Sequence, residues 1–182
     1  MKVALVSPER IVIVGHSLGA AVTTAVAKHF AKQGIEFAGI VMIAGFMSLP
    51  TLFTTYKMGG LIAPLVPLSR YPKILNWLSN QITDTWESAS RLASFVRISN
   101  RVRLFLIHAI NDPTIPWTHA EGLFAAAANA TTDGSMSLER LNSMKKRNTI
   151  ALGDGAFIST WNDGGNKIIR EEVVAYGGEY RL

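Results

Sequence analysis

The stretch from Arg10 to Val22, RIVIVGHSLGAAV, constrains this chain most, because a β-branched run ends abruptly in Gly-His-Ser-Leu-Gly. Such a run bounded by glycine predicts a strand at Arg10–Val14 that is buried on both faces of a parallel sheet. Apolar residues then recur at helical spacing over Leu18–Gln33, and Gly34 stands where helices end in a left-handed residue. The sequence therefore predicts a strand, a tight turn and a helix in succession.

Later segments repeat this alternation. Phe37–Phe46 is a second apolar strand, which completes a βαβ unit with a right-handed crossover. Arg103–Ala109 is a third strand, His119–Ala128 the next helix, and Lys167–Tyr176 a final strand. This order predicts a single α/β domain over residues 1–182, with the proline- and aromatic-rich residues 47–100 as an excursion above the sheet. Helices are also predicted at around residues 71–82, 86–96 and 138–147, with turns at 154–155 and 163–165.

The composition narrows the classes of function. Of 182 residues, 48% are apolar and 17% charged, a balance typical of a globular protein. The net charge of +5 comes from basic residues that are scattered apart from a cluster at 145–147, and no phosphate loop or recognition helix accompanies them. We therefore predict no nucleic-acid partner. The chain has no cysteine, and its glycine pairs lack the spacing of a dinucleotide loop, so neither a metal nor a nucleotide cofactor is predicted.

The chain as written is predicted to be soluble. Its first residues contain too few apolar positions for the core of a signal peptide, and no stretch approaches the roughly 18 apolar residues of a transmembrane helix. The apolar segment GGLIAPLVPL contains two prolines and is more typical of a cap than of a membrane anchor. Neither the compartment nor the oligomeric state follows from the sequence.

Gly15-His16-Ser17-Leu18-Gly19 has the pattern G-x-S-x-G, in which a serine is presented on a strained turn between a strand and a helix. We expect glycine at both flanking positions because side chains there would collide with neighbouring backbone. The turn lifts the Ser17 hydroxyl above the sheet and directs the Leu18 amide, at the helix N-terminus, toward a developing oxyanion. Ser17 is the predicted nucleophile, and the alternative is an ordinary Gly-Ser turn.

A serine nucleophile needs a base, and an acid that orients the base. Asp112 follows the strand RLFLIHA on a turn closed by Pro113 and Pro116, at the carboxyl edge of the sheet, where ligands bind in open α/β folds. Asp112 is therefore the predicted acid. The alternative is an Asx-turn residue that caps its own backbone.

The base is harder to find among the four histidines of the chain. His16 belongs to the serine turn itself, His29 lies late in the first helix, and His108 lies inside a strand, where packing is the more common role. His119 opens the helix after the acid and is the substitute base that the sequence leaves.

Four stretches together resemble the α/β-hydrolase superfamily: RIVIVGHSLGAAV, AGIVMIAGFMSL, ITDTWESASRL and LIHAINDPTIPWTHAEGLF. More narrowly, they resemble its abhydrolase-domain branch of membrane-associated lipid hydrolases, which includes lysophosphatidylserine and monoacylglycerol lipases and their fungal relatives. The resemblance implies a serine hydrolase of acyl or lipid esters, with Ser17 as nucleophile, Asp112 as triad acid and Leu18 as an oxyanion amide. It also implies a short cap at about residues 47–100 and a membrane surface as a partner.

Two departures from that family qualify the prediction. Members end the last strand with a Gly-Gly-His-like turn, whereas Glu179 stands here where the catalytic histidine is expected, and a carboxylate is too weak a base for a hydroxyl. Family members also carry several strands before the serine strand, so we expect a chain truncated at both ends, with an exposed apolar edge at Ile11–Val14. The sequence thus leaves two functions open: a hydrolase that is inactive as an isolated chain, or a catalytically dead fragment that binds a ligand or partner. A truncated gene model or isoform is a third explanation of the gaps, and it leaves the hydrolase intact for the parent protein.

Overall fold

In the computed structural model, residues 6–55, 85–132 and 136–177 are described. They alternate between strands and helices, which confirms the predicted α/β class. The strands are Val12–His16 (β1), Gly39–Ile43 (β2), Val102–Ala109 (β3), Thr149–Gly153 (β4), Ala156–Asn162 (β5) and Lys167–Val174 (β6). The helices are Leu18–Ala31 (α1), Leu49–Thr55 (α2), Ser88–Ile98 (α3), Thr118–Ala130 (α4) and Leu138–Arg147 (α5), and a 3-10 helix spans Pro8–Arg10.

The strands of the described residues form one sheet in the order β1-β2-β3-β6-β5-β4. β1, β2, β3 and β6 are parallel to one another, whereas β5 and β4 pair antiparallel with their neighbours. This mostly parallel sheet with flanking helices confirms the prediction of a partial α/β-hydrolase fold. The carboxyl ends of the four parallel strands meet at one edge, so the residues that follow these strands lie side by side.

The hydrophobic core lies between one face of this sheet and helices α1, α3, α4 and α5. Ile40, Leu104 and Ile169 form one register row on that face and are at most 2% exposed. Val14 and Phe105 belong to the next row, on the opposite face, and are 61% and 36% exposed. Within the described residues, the core is therefore one-sided.

The prediction that Arg10–Val14 is a strand buried on both faces is wrong. The strand begins at Val12, and the side chains of Val12 and Val14 are largely exposed. β1 forms one edge of the described sheet, and its helix-covered face is the opposite one, where α1 packs. The exposed apolar edge that the sequence predicted is present.

The hairpin formed by β4 and β5 is an element that the sequence analysis missed. Asp154 and Gly155 connect the two strands with φ values of 50° and 79°, the conformation that favours Asp-Gly in a two-residue hairpin turn. The sequence predicts the turn at 154–155 but not the strands beside it. The sequence pattern for a strand is weak here, because β4 is mostly exposed on both faces and does not alternate between apolar and polar residues.

Much of the excursion predicted at residues 47–100 lies outside the described residues, including the helix predicted at 71–82. The helix predicted at 86–96 is α3, in which Leu92, Phe95 and Val96 are buried in the main core. This helix packs between α1 and α4 in the helix layer. The cap itself stays a prediction.

Two neighbouring residues of β3 test the one-sided core. Leu104→Ala removes a fully buried side chain and should lower the free energy of unfolding by about 2–5 kcal/mol, because it leaves a cavity. Phe105→Ala removes more atoms, but it removes them from the uncovered face of the sheet. It should therefore lower the free energy of unfolding by less than Leu104→Ala does. Urea unfolding of both variants measures the difference, and a larger loss for Phe105→Ala would contradict the described packing.

Candidate active site

Ser17 lies at the sharp turn between the end of β1 and the start of α1. Its backbone has φ 53° and ψ −120°, a conformation that residues other than glycine rarely adopt. Its amide donates a 2.9 Å hydrogen bond to the Ile43 carbonyl oxygen, which ties the turn to the end of β2. Since strain of this kind clusters at functional positions, the turn marks Ser17 as a candidate for chemistry.

The two glycines of the motif differ in what requires them. A Cβ atom on Gly15 would overlap Thr23 Oγ1 and the Gly19 carbonyl oxygen, so β1 and α1 approach too closely for a side chain. A Cβ atom on Gly19 would meet nothing within 4 Å. The expected collision is therefore confirmed for Gly15 and wrong for Gly19, which already lies in the first turn of α1 and has open space beside it.

Ala44 is a second strained residue at the same edge of the sheet. It follows β2 with φ 48°, and its amide donates a 2.9 Å hydrogen bond to the Ile107 carbonyl oxygen. The sequence does not reveal this strain, because the apolar run of the strand continues through position 44, where no glycine stands. The ends of β1, β2 and β3 are thus joined in series by single backbone hydrogen bonds.

Asp112 lies in the turn between β3 and α4. Its Oδ1 atom accepts hydrogen bonds from the amides of Thr114 and Ile115 at 2.8 and 2.9 Å, which is the Asx-turn that the sequence left as an alternative. Its Oδ2 atom lies 3.4 Å from His108 Nε2. The Asx-turn therefore uses one oxygen and does not conflict with a role for the other.

The surroundings of Asp112 lower its pKa. Burial by itself raises that pKa, but the hydrogen bond from His108 and those from the Ile115 and Thr114 amides together outweigh burial. The carboxyl group is consequently ionised at neutral pH, which is the state needed to stabilise a neighbouring imidazolium.

Ser17 and Asp112 line the same cavity, of about 600 Å³, at the carboxyl edge of the sheet. Its walls are largely apolar, with Ile43, Ile107 and Val174 among the lining residues. The structure thus brings together the two residues that the sequence singled out, at a place where an apolar group has room.

The turn after β6 also reaches this cavity. Gly177 lines it and donates its amide to Asn111 Oδ1 at 2.9 Å. A Cβ atom on Gly177 would overlap that of Ala109, so glycine is needed where the chain crosses the end of β3. Glu179, at the position predicted for the missing histidine, lies outside the described residues.

Two histidines that the sequence analysis set aside line the cavity. His16 is exposed, whereas His108 is 1% exposed and contacts Asp112 through Nε2. The sequence feature that could have indicated this contact is the spacing of four residues between His108, near the end of a strand, and Asp112, in the turn that follows it.

The other two histidines lie elsewhere. His29 is exposed on α1 and pairs with the side chain of Gln33, 2.8 Å away. His119 is buried, accepts a hydrogen bond from the Met47 amide at Nδ1, and has a pKa lowered mainly by burial and secondly by His108. Within the described residues His119 does not line the cavity, so the structure does not bring the predicted substitute base to Ser17.

A mostly parallel sheet with flanking helices, and a strained serine turn between its first strand and the first helix, fits the partial α/β-hydrolase fold that the sequence predicted. Residues 1–141 match the prolyl oligopeptidase family, Peptidase_S9, and the chain belongs to that family. This assignment confirms the predicted superfamily. The narrower resemblance to fungal-type lipid hydrolases and the truncation at both ends stay predictions.

Similar proteins are considerably longer than this chain. It is 23% identical over 171 residues to the uncharacterized protein YfhR of Escherichia coli O157:H7, which covers 94% of the chain and 46% of that relative. An α/β hydrolase from Vibrio vulnificus has a TM-score of 0.49 at 16% identity, over 69% of this chain and 39% of that one. An esterase domain from Rhodothermus marinus has a TM-score of 0.39 at 20% identity, over 64% and 44%. The chain thus spans about half the length of the curated relative.

Alanine substitutions separate the roles of the two motif glycines. Gly15→Ala should destabilise the protein by about 1–3 kcal/mol, because the new methyl group forces β1 and α1 apart. Gly19→Ala should be neutral or stabilise by up to about 1 kcal/mol, since alanine favours the helix. Thermal unfolding of the pair measures both effects, and equal losses would show that the helix does not approach β1 as described.

The strain at Ser17 predicts a second difference. Ser17→Gly should be more stable than Ser17→Ala by about 1–2 kcal/mol, because only glycine adopts this backbone conformation at little cost. Chemical unfolding of the two variants, neither of which has a hydroxyl, compares them directly. Equal stability would mean that residue 17 is relaxed in solution.

Proposed function

We propose that this chain carries the nucleophile and the acid of a serine hydrolase that acts on carboxylic esters, with Ser17 and Asp112 in those roles. The observation that carries this proposal is that both residues line one cavity, the serine on a strained turn and the aspartate ionised. Membership of the prolyl oligopeptidase family supports it independently.

The chemistry follows from the position of the turn. Ser17 Oγ attacks the ester carbonyl carbon while its proton passes to a base, and the carbonyl oxygen becomes an oxyanion. The Leu18 amide lies at the start of α1, where backbone N–H groups have no acceptor within the helix and carry partial positive charge. This amide stabilises the oxyanion until the carbonyl re-forms, the bond to the alcohol breaks and the base returns the proton to the departing alcohol. Water then attacks the acyl-serine, which releases the carboxylic acid and regenerates the Ser17 hydroxyl.

We further propose that none of the four histidines of this chain is the base. His29 pairs with a side chain on α1, His119 with the Met47 amide, and His108 Nε2 with the loop of Asp112. His16 immediately precedes Ser17 and lines the same cavity, but within the described residues no hydrogen bond joins its ring to the Ser17 hydroxyl. Without an imidazole base the isolated chain hydrolyses esters slowly, with acceleration from the oxyanion amide and from binding alone.

The substrate is proposed to have an acyl or lipid chain, because apolar side chains dominate the cavity walls. A peptide or another amide is a second candidate, which the family match favours. Association with a membrane surface remains a prediction from the resemblance. Among the described residues, no helix combines the length and apolar character needed to cross a bilayer.

A catalytically inactive fragment that binds a ligand or partner is the alternative function. The exposed apolar side chains of Val12, Val14 and Phe105 favour it, because parallel sheets are ordinarily covered on both faces. This alternative predicts ligand binding at the cavity without covalent capture at Ser17.

A fluorophosphonate probe tests the proposed function. It should label the purified chain at Ser17 slowly, because the Leu18 amide can stabilise the developing negative charge but no imidazole takes the proton of the hydroxyl. The label is located by mass spectrometry of the peptides. Ser17→Ala should abolish labelling. Ser90→Ala, which removes an exposed hydroxyl on α3, should leave it unchanged.

Matched substrates then separate the chemical classes. Nitrophenyl esters of increasing acyl length should be hydrolysed faster than nitroanilides of the same acyl groups, with rates well below those of complete triads. A folded chain that binds acyl ligands but is never labelled would contradict the hydrolase and support the binding alternative.

A further inference from the structure

His108 occupies an unusual position for a histidine. It is the second-last residue of β3, four residues before Asp112, and it is 1% exposed. Alternation along the strand puts its side chain on the core face with Leu104 and Leu106. It nevertheless forms part of the cavity wall that Ser17 and Asp112 share.

One ring nitrogen of His108 contacts both ends of the Asp112 loop. Nε2 lies 2.8 Å from the Ile115 carbonyl oxygen. Because a carbonyl oxygen only accepts hydrogen bonds, Nε2 must carry a proton and donate it. The same nitrogen lies 3.4 Å from Asp112 Oδ2. The Nε2–H group thus faces two acceptors on a single four-residue loop.

We infer that His108 is a positioning residue for Asp112, whose carboxylate it orients toward the cavity by holding Oδ2 and the Ile115 carbonyl with one N–H group. The inference rests on the proposed function, which makes Asp112 the acid of the site. His108 acts through Asp112, because its donor is engaged with the loop.

The loop explains why a second anchor is needed. The Thr114 and Ile115 amides both bind Oδ1, so by themselves they leave the carboxylate free to pivot about that atom. A donor at Oδ2 removes this freedom. A carboxylate oxygen accepts about two hydrogen bonds, so Oδ2 retains capacity for a further donor. Ile115 is itself fixed, since it is buried against Ala21 and Phe46.

Other titratable groups lie near His108 and must be followed in any pH experiment. Burial lowers the pKa of His119, and His108 lowers it further. Burial raises the pKa of Glu171, which lies on the same sheet face, although its ion pair with Lys145 and the nearby His108 oppose that shift. Lys145 also pairs with Glu121 at 3.0 Å.

Two substitutions separate orientation from packing. His108→Leu keeps an apolar body and removes the donor, whereas His108→Gln keeps an N–H donor of similar reach. The pKa of Asp112, read from its carboxyl titration by ¹³C NMR, should rise in His108→Leu, because a donor to the ionised form is lost, and return toward the wild-type value in His108→Gln. His119→Leu, a buried histidine whose Nδ1 bonds the Met47 amide, is the control and should leave the titration of Asp112 unchanged. An unchanged titration in His108→Leu would overturn the inference.

The wild-type chain supplies a measurement that does not depend on a variant folding. Nitrogen-15 NMR of the His108 ring should find Nε2 protonated at neutral pH, with a chemical shift that follows the titration of Asp112. An unprotonated Nε2, or a chemical shift that does not change as Asp112 titrates, would overturn the inference.

Probe labelling connects this role to the proposed function. If Ser17 is labelled in the wild type, slower labelling of His108→Leu than of His108→Gln links the orientation of Asp112 to the serine. If Ser17 is not labelled in any variant, the proposed function fails, and the carboxyl titration still decides the role of His108.

Discussion

The close approach of β1 and α1 at Gly15 is the contact on which the rest of the site depends. Because Gly15 has no side chain, α1 lies close against β1, and the chain reverses direction at a single residue between them. That residue is Ser17, which takes the strained conformation, and its amide bond to Ile43 joins the reversal to the sheet. The position of the hydroxyl is therefore set by backbone packing, not by the serine side chain.

The same edge of the sheet gathers residues from distant parts of the sequence. Because β1, β2, β3 and β6 are parallel, the turns that follow them lie next to one another at the carboxyl edge of the sheet. Single backbone hydrogen bonds connect the ends of these strands in series. The Asp112 loop is held from within by its own Asx-turn and from below by His108. An aspartate so fixed and kept ionised suits the electrostatic demands of acyl transfer, in which positive charge develops on a neighbouring base.

Much of this arrangement was predictable because its signals are local. The apolar runs of β2 and β3, the helical spacing of α1 and the Asp-Pro turn after β3 each fall within a short window of sequence. The β4–β5 hairpin was not predicted, because β4 is an exposed edge strand whose sequence does not alternate between apolar and polar residues. The contact between His108 and Asp112 was not predicted, because a histidine inside a strand has the same sequence pattern whether it only packs in the core or also donates a hydrogen bond. The open space beside Gly19 was not predicted, because the sequence does not distinguish a glycine that steric contacts require from one that they merely tolerate.

By itself the sequence determined the α/β class, the serine on its strand-to-helix turn and the aspartate in the turn after a later strand, since periodicity and turn chemistry are encoded locally. Only the tertiary structure decided that Ser17, Asp112, His16 and His108 share one cavity, and that the helices of the described residues cover one face of the sheet. The reason is physical: an apolar strand residue is buried or exposed according to which element packs on its face. That depends on contacts between segments far apart in the chain.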